Sequence, residues 1–263
     1  SSVQIAGPTA AFATIVAGIV AKDGLDGLVI STILVGIFLI LMGLCHFGSL
    51  IKFIPYTITT GFTSGIAVTI VIGQLKDFFG VTYPNGLKPI ETMEKLNAFA
   101  LGFSSFHVDA LIVGGVSLAI LIISPYIFKR IPGSLIAVVI GILMVKFLPL
   151  HVSTIGNLYT ITNDLPSFHI PAAKFSMVKS AIPNAFTIAV LAAIESLLSC
   201  VVADGMINGK HRSDTELVAQ GLGNIASALF GGIPATGAIA RTAANIKNGG
   251  RTPVAGMVHS ITL

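Results

Sequence analysis

The sequence predicts an all-α integral membrane protein in which two of the helices are half-length and begin at a proline break. Hydrophobic residues make up 54% of the 263 residues, charged residues only 10%, and the mean hydropathy is +0.92. Soluble domains carry about 25% charged residues, so a soluble fold is excluded. The apolar residues form runs as long as helical membrane spans, and two shorter helical segments follow Gly- and Pro-containing breaks.

Several other classes of protein do not fit this composition. The net charge of +4 is small and dispersed, so we expect no nucleic-acid partner. The histidines show no metal-ligand spacing, the segment 205–210 lacks the spacing of a phosphate loop, and no Ser/His/acid arrangement follows from spacing. Cys45 and Cys200 both lie in apolar runs and are interpreted as buried free thiols.

The predicted membrane elements follow one another along the whole chain. The first is a short extended piece that breaks at Gly7-Pro8 and continues from Thr9 as a helix of half to two-thirds of a span. Two polar segments, 76–107 and 149–181, interrupt the series, and a tight Lys129-Arg130 turn joins two of the spans. The later elements are residues 28–45, 57–75, 110–128, 132–148, 182–203, 217–230, 238–247 and 254–263.

Small residues and basic loops add two expectations. Gly61 and Gly65 lie on one face of the span 57–75, which favours close packing against another helix. Short loops on one side are dense in basic residues, so we expect that side to be cytoplasmic. These basic residues are Lys52, Lys129, Arg130, Lys210, Arg212, Lys247 and Arg251.

The stretch 231–253 contains the second half-length helix. Gly and Pro stop the preceding helix, small residues form a short one, and Asn248-Gly249-Gly250 ends it. A short helix at membrane depth points unpaired N–H groups and a positive dipole end at the bilayer middle, which favours an anion site. We expect Thr236, Ala240 and Arg241 to contribute to it. Arg241 has two alternative roles, a snorkelling side chain or a salt-bridge partner of Glu195.

The first half-helix resembles the second. Residues 5–10 and 232–238 both show an extended approach, a proline break, Thr and Ala, and then a short helix. An odd number of membrane crossings separates them, so they run in opposite senses, as in inverted-topology repeats whose site lies where the two N-termini meet. Thr9 and Ala10 are therefore further candidates for substrate binding, chiefly through their backbone N–H groups.

Glu195 is an acid inside the predicted span 182–203. An acid at that depth is costly unless it is paired or hydrated, and at helical spacing it shares a small, polar stripe with Ser196 and Ser199. One interpretation is a proton or cation site coupled to transport, and the other is a structural acid bonded to a neighbouring helix backbone.

Short motifs along the entire chain resemble the sulfate permease (SulP) family of anion transporters, bacterial relatives of the animal sulfate, chloride and bicarbonate exchangers. The motifs lie in family order from one end of the chain to the other. They are Gly7-Pro8-Thr9-Ala10-Ala11-Phe12, Ile54-Pro55-Tyr56, Thr60-Gly61-Phe62-Thr63-Ser64-Gly65-Ile66, Gln74-Leu75-Lys76-Asp77-Phe78, Ala193-Ile194-Glu195-Ser196-Leu197-Leu198, Ala203-Asp204-Gly205-Met206, Gln220-Gly221-Leu222-Gly223-Asn224, Ala238-Ile239-Ala240-Arg241-Thr242-Ala243-Ala244-Asn245 and Thr252-Pro253.

The resemblance implies a partial seven-plus-seven inverted-repeat transporter of the uracil-permease type, with two half-helices preceded by short strands. It implies a core (transport) domain formed by residues 1–45 and 182–263 and a gate (scaffold) domain formed by residues 46–181, with elevator-like movement between them. The chain does not begin with Met and ends inside an apolar run. We therefore expect an excerpt that lacks the family's first two and last spans and any regulatory STAS domain.

The resemblance also implies a function. It is secondary active transport of a small inorganic or organic anion, with sulfate as the first choice, coupled to H⁺ or Na⁺ through Glu195 and Ser199. Alternatives are a bicarbonate or C4-dicarboxylate symporter, an uncoupled anion channel or exchanger, and a nucleobase or other neutral-solute transporter of the same fold. The expected protein is no enzyme, has no cofactor beyond the coupling ion, lies in the bacterial inner membrane as a multi-pass protein, and forms a homodimer at full length.

Overall fold

Helices form nearly all the regular structure in the described part of the chain. The computed structural model describes residues 1–53, 56–128, 131–158, 167–168, 170–171 and 175–262. The helices are α1 (Ala13–Leu44), α2 (Tyr56–Phe78), α3 (Thr92–Gly102), α4 (Val108–Ile127), α5 (Gly133–Phe147), α6 (Ile155–Leu158), α7 (Phe175–Ile207), α8 (Ser213–Leu229), α9 (Ile239–Lys247) and α10 (Val254–Thr262), and the strands are β1 (Ala6–Gly7) and β2 (Thr236–Gly237).

The long helices have the length and composition of membrane spans. The segment Ala10–Leu44, which contains α1, is long and apolar enough to cross a bilayer, and so are α4 and α7. The helix α5 is apolar but shorter. The prediction of an all-α membrane fold is confirmed.

Helix α1 consists of two helices joined at Gly24. This residue has φ 69° and ψ −168°, a conformation that residues other than glycine rarely adopt. The first part corresponds to the predicted half-length helix after Thr9, and the second to the predicted span 28–45. The glycine therefore sets the end of the first half-helix.

The two strands cross each other in front of the two half-length helices. They pair antiparallel, with Ala6 opposite Gly237 and Gly7 opposite Thr236. We call this pair the strand crossing. Because the strands run in opposite directions, the helices that follow them also leave in opposite directions, and their N-terminal ends lie near each other. The predicted short strands are confirmed, whereas the seven-plus-seven repeat stays a prediction.

Helices α1 and α8 approach so closely at Gly36 and Gly221 that neither glycine can be replaced without movement. A Cβ atom added at Gly36 would lie 2.5 Å from the carbonyl oxygen of Gly221, and one added at Gly221 would lie 2.5 Å from that of Gly36. The close packing predicted at Gly61 and Gly65 is wrong for the described part of the chain, where an added Cβ at either meets no atom within 4 Å. The spacing on α2 therefore identified a face that the described residues leave unpacked.

Replacing Gly221 with alanine is expected to destabilise the fold. The added methyl group overpacks the contact with α1, which costs about 1–3 kcal/mol. Gly223→Ala is the matched control, because a Cβ at Gly223 meets no atom of the described residues within 4 Å and alanine favours a helix. Thermal unfolding in detergent should show a lower midpoint for Gly221→Ala only. Equal midpoints for the two variants would contradict this account.

Some boundaries and one helix differ from the sequence prediction. Helix α7 begins at Phe175 rather than at residue 182, and α3 lies inside the polar segment 76–107, for which no helix was predicted. A capping box between Glu91 and Glu94 starts α3. Cys45 is exposed rather than buried, and both cysteines are free thiols. The predicted Lys129-Arg130 turn lies outside the described residues.

The chain divides into two compact units, residues 1–64 with 165–263 and residues 65–164. The first contains α1, α7, α8, α9 and the strand crossing, around a core of apolar side chains such as Phe12, Leu39 and Ile188. The second contains α3, α4 and α5 together with a cluster of phenylalanine rings around Phe79. The predicted core and gate domains have their boundaries at residues 45/46 and 181/182, and this functional division stays a prediction.

Candidate binding site at the strand crossing

The strand crossing brings two helix N-termini together without capping side chains. The N–H group of Ala238 donates to the carbonyl oxygen of Ile5 at 2.9 Å, which extends the pairing of the strands up to α9. Ala238 has no side-chain group that could cap α9, and the Thr9 hydroxyl donates elsewhere. Ala10 begins the 3-10 turn that leads into α1, Ala240 is the second residue of α9, and both are exposed. Their N–H groups belong to the first turns, which have no intrahelical acceptors.

Glu195 lies beside the first of these N-termini. It is on α7, only 8% exposed, and its Oε2 accepts a hydrogen bond from the Thr9 hydroxyl at 3.1 Å. The structure therefore joins two predicted site residues that are far apart in the sequence. A buried carboxylate with one hydroxyl partner is suited to bind a proton or a small cation, since its remaining oxygen lone pairs can accept further bonds.

Arg241 connects the second N-terminus to the first. It is in the first turn of α9, and its guanidinium group donates to the carbonyl oxygen of Pro8. The same group packs against Gly7, where a Cβ atom would lie 2.6 Å from Nη1. Arg241 interacts electrostatically with Glu195, but the ion pairs of the described residues do not include a contact between them within 4.0 Å. The positive charge thus stays close to the acid without pairing with it directly.

Thr236 belongs to the framework behind the site. Its side chain is fully buried, and its hydroxyl donates to the carbonyl oxygen of Ala192 at 2.8 Å. Ser196 Oγ lies 2.8 Å from the same hydroxyl and accepts the N–H group of Gly237 at 3.0 Å. These bonds attach β2 to α7. The predicted role of Thr236 in substrate binding is not tested by them, although its hydroxyl already has partners.

Ser199 also bonds to the framework. Its hydroxyl donates to Thr242 Oγ1 at 3.0 Å, and the same Thr242 oxygen accepts the N–H group of Ile5 at 3.0 Å. Ser199 lies one helical turn from Glu195, as predicted, and its hydroxyl bonds to Thr242 of α9. Its role in ion coupling stays a prediction.

Sequence reasoning missed several polar residues that hold the crossing. The Gln4 amide donates to the carbonyl oxygen of Ser196 at 2.9 Å, and the Asn245 amide donates to that of Val3 at 2.9 Å. Thr242 Oγ1 accepts the N–H group of Ile5, and Asn224 Oδ1 accepts that of Ala235. The available signal was the presence of hydrogen-bonding side chains within apolar or small-residue segments, where each needs a partner.

Comparisons with known proteins identify the family. The family model described as "Sulfate permease family" matches residues 1–263. The chain belongs to the sulfate permease family. Membership confirms the resemblance read from the motifs, and with the apolar helices it makes the chain part of a multi-pass integral membrane protein, in keeping with the predicted bacterial plasma membrane.

Individual relatives support the family assignment. "Putative sulfate transporter YvdB" of Bacillus subtilis is 42% identical over 100% of this chain and 50% of its own length. "Bicarbonate transporter BicA" of Synechocystis is 32% identical over 95% of this chain and 44% of its own. The chain spans about half the length of these curated relatives. Both are named as transporters, in line with the prediction that the protein is no enzyme.

A solved structure confirms the fold. "The transmembrane domain of a cyanobacterium bicarbonate transporter BicA" superimposes with a TM-score of 0.84 at 30% identity. The match covers 99% of this chain and 68% of that chain. The helices and the strand crossing described above therefore belong to the transmembrane fold of this family.

Proposed function

We propose that this chain is part of a secondary active transporter for a small anion, with sulfate as the first candidate, and that the anion binds at the strand crossing. The observation that carries the proposal is the convergence of two helix N-termini, the Arg241 guanidinium and the Glu195 carboxyl group. The proposed ligands are the backbone N–H groups near Thr9, Ala10 and Ala240 and the Arg241 side chain, and Thr236 contributes by holding β2 behind them.

The charges at the crossing support an anion as the substrate. Each helix N-terminus acts as about +0.5 elementary charge. With the full charges of Arg241 and Glu195, the sum is about +1 when the acid is ionised and about +2 when a cation neutralises it. A neutral solute such as a nucleobase would gain little from this field, which disfavours that alternative.

The same sum provides a mechanism for coupling. Glu195 lies close to the first helix N-terminus through its bond to Thr9, so its negative charge opposes an anion bound there. Binding of H⁺ or Na⁺ at Glu195 removes that opposition, and the bound anion in turn stabilises the cation. Such reciprocity is required by linkage between two sites. An uncoupled channel would not need a buried acid at this position.

The elements of the site lie in the first compact unit, which also contains the residues of the proposed core domain. We propose that this unit carries the anion as an elevator-type core, while residues of the second unit belong to the gate. Its partners in this proposal are the lipid bilayer, the anion and, at full length, a second copy of the protein. Buried side chain–backbone bonds across the crossing keep the two half-helices together during such a movement.

The first experiment identifies the substrate. The full-length transporter is reconstituted in proteoliposomes, and uptake of labelled sulfate is measured with and without an inward proton or sodium gradient. Unlabelled bicarbonate and C4-dicarboxylates compete in parallel. Competition strongest by bicarbonate would favour the alternative suggested by the BicA relative. Uptake of a nucleobase but of no anion would overturn the proposal.

A further inference from the structure

Asn224 holds the extended segment that leads into the second half-helix. It lies on α8, one residue beyond Gly223, and is 1% exposed. Its Oδ1 accepts the N–H group of Ala235 at 2.8 Å, and its Nδ2 donates to the carbonyl oxygen of the same residue at 2.9 Å. One carboxamide thus satisfies both backbone groups of one residue, as a neighbouring strand would do.

The position of Ala235 explains why such a partner is needed. It follows Pro234, which has no N–H group, and it immediately precedes β2. The strand β1 pairs with Gly237 and Thr236 but does not reach Ala235. Backbone groups left unpaired at membrane depth are costly. Asn224 therefore pairs the backbone groups of Ala235, and β1 pairs those of the residues that follow.

Asn224 is itself held in place. Its Nδ2 also donates to the carbonyl oxygen of Gln220 at 2.8 Å, which fixes the side chain against its own helix. One turn earlier, Gly221 packs against the backbone of α1. The amide thus links a tightly packed helix pair to Ala235, the residue that precedes β2 and lies three residues before the N-cap residue Ala238.

We propose that Asn224 is a positioning residue for the binding site: its carboxamide acts as the strand partner of Ala235 and thereby fixes the N-terminus of α9. This rests on the proposed function, since it assumes that the anion binds at that N-terminus. Asn224 does not touch the anion in this proposal. It sets where the first-turn N–H groups of α9 and Arg241 lie.

Two variants and a control test the proposal in the full-length transporter. Asn224→Ala removes both bonds to Ala235, and Asn224→Asp keeps the size and the acceptor but loses both donors. Ser227→Ala is the matched control. Ser227 Oγ donates to the carbonyl oxygen of Ile233, in the same extended segment before β2, at 3.3 Å. This variant removes a bond between α8 and the segment before β2 but leaves both bonds to Ala235 in place.

The first measurement is hydrogen–deuterium exchange of residues 235–243. Both Asn224 variants should exchange faster there than wild type, and Ser227→Ala should stay close to wild type. The measurement does not depend on any substrate. Unchanged exchange in folded Asn224→Ala or Asn224→Asp, or equal acceleration in Ser227→Ala, would overturn the assignment.

The second measurement is the concentration dependence of sulfate uptake. We expect KM to rise about tenfold in the Asn224 variants, the scale of one displaced hydrogen-bonding group, with the maximal rate per folded protein within about twofold of wild type. A residue needed only for folding would lower the amount of active protein and leave KM unchanged. Faster exchange with an unchanged KM would overturn the link to binding. If wild type binds no anion, the proposed function fails, and the exchange measurement alone decides whether Asn224 positions α9.

Discussion

Glu195→Gln is expected to abolish accumulation of the anion against its gradient. Glutamine has nearly the same size and can still accept the Thr9 hydroxyl bond seen in the structure, but it neither binds a proton nor offers a negative charge to a sodium ion. In a transporter that couples one ion to each anion, a tenfold ion gradient supplies about 1.4 kcal/mol, enough for about tenfold accumulation when the imposed gradient is the only driving force. The variant should only equilibrate the anion.

The measurement is time-resolved uptake into proteoliposomes under an imposed gradient of each candidate ion. Thr9→Val is an informative companion, because it removes the hydroxyl donor while leaving the carboxyl group in place. It should retain gradient-driven accumulation at a reduced rate. Accumulation by Glu195→Gln equal to that of wild type would show that Glu195 is a structural acid, and gradient-independent uptake in both would show that the transporter is uncoupled.

Arg241→Ala is expected to weaken anion binding by about 10- to 100-fold. Hydrogen bonds to charged groups contribute about 1.5–3 kcal/mol, and removal of the guanidinium group also takes away half of the positive charge in the neutralised site. Equilibrium binding of labelled sulfate to the purified transporter measures the effect. Because Arg241 also bonds to Pro8, a thermal unfolding measurement should accompany it to show that the fold is retained.

Arg251→Ala is the matched control for this prediction. Arg251 lies just beyond the opposite end of α9, where its guanidinium group donates to the carbonyl oxygens of Ile246 and Gly250. The variant makes the same change in net charge at the far end of the same helix. Its affinity should stay within about twofold of wild type, since field effects of exposed charges fall off over about 10 Å. Equal loss of affinity in both variants, or none in Arg241→Ala, would remove Arg241 from the site.

The parts of the fold that depend on local signals could be predicted from the sequence. Pro8 and Pro234 break the chain before the two half-helices, and Gly249-Gly250 ends the second one. Glu195 was conspicuous because an acid within an apolar span requires a partner. In each case the signal and its consequence lie within a few residues of each other.

The partners across the site could not be predicted in the same way. Thr9 and Glu195 are separated by 186 positions in the sequence, and nothing in either segment specifies the other. In the sequence, Asn224 stands out only as the last residue of the family motif 220–224, because the sequence does not show that its amide faces Ala235. The choice among equivalent hydroxyl, amide and carbonyl groups is made by packing of the whole unit.

Glycine spacing misled for a related reason. A four-residue spacing at Gly61 and Gly65 suggested a packed face on α2, whereas the close contact forms where Gly36 meets Gly221. A glycine spacing shows which face of a helix allows close packing, but it does not show which other helix packs there. Helix α3, by contrast, could have been predicted from the sequence, because Glu91 and Glu94 have the spacing of a capping box.

At the strand crossing, the residues that hold the two half-helices in place differ from those that would limit the volume of the proposed site. Its framework consists of backbone pairs and of buried side chains, such as Ser196 and Asn224, that bond away from the helix tips. The N-terminal ends of the two half-helices carry Ala10 and Ala240, which are both exposed residues. Exchange of these two alanines for other small residues would alter the space for a cargo while every bond of the framework stays intact. Under the proposed function, selectivity can therefore diverge at these two positions while the framework bonds are kept.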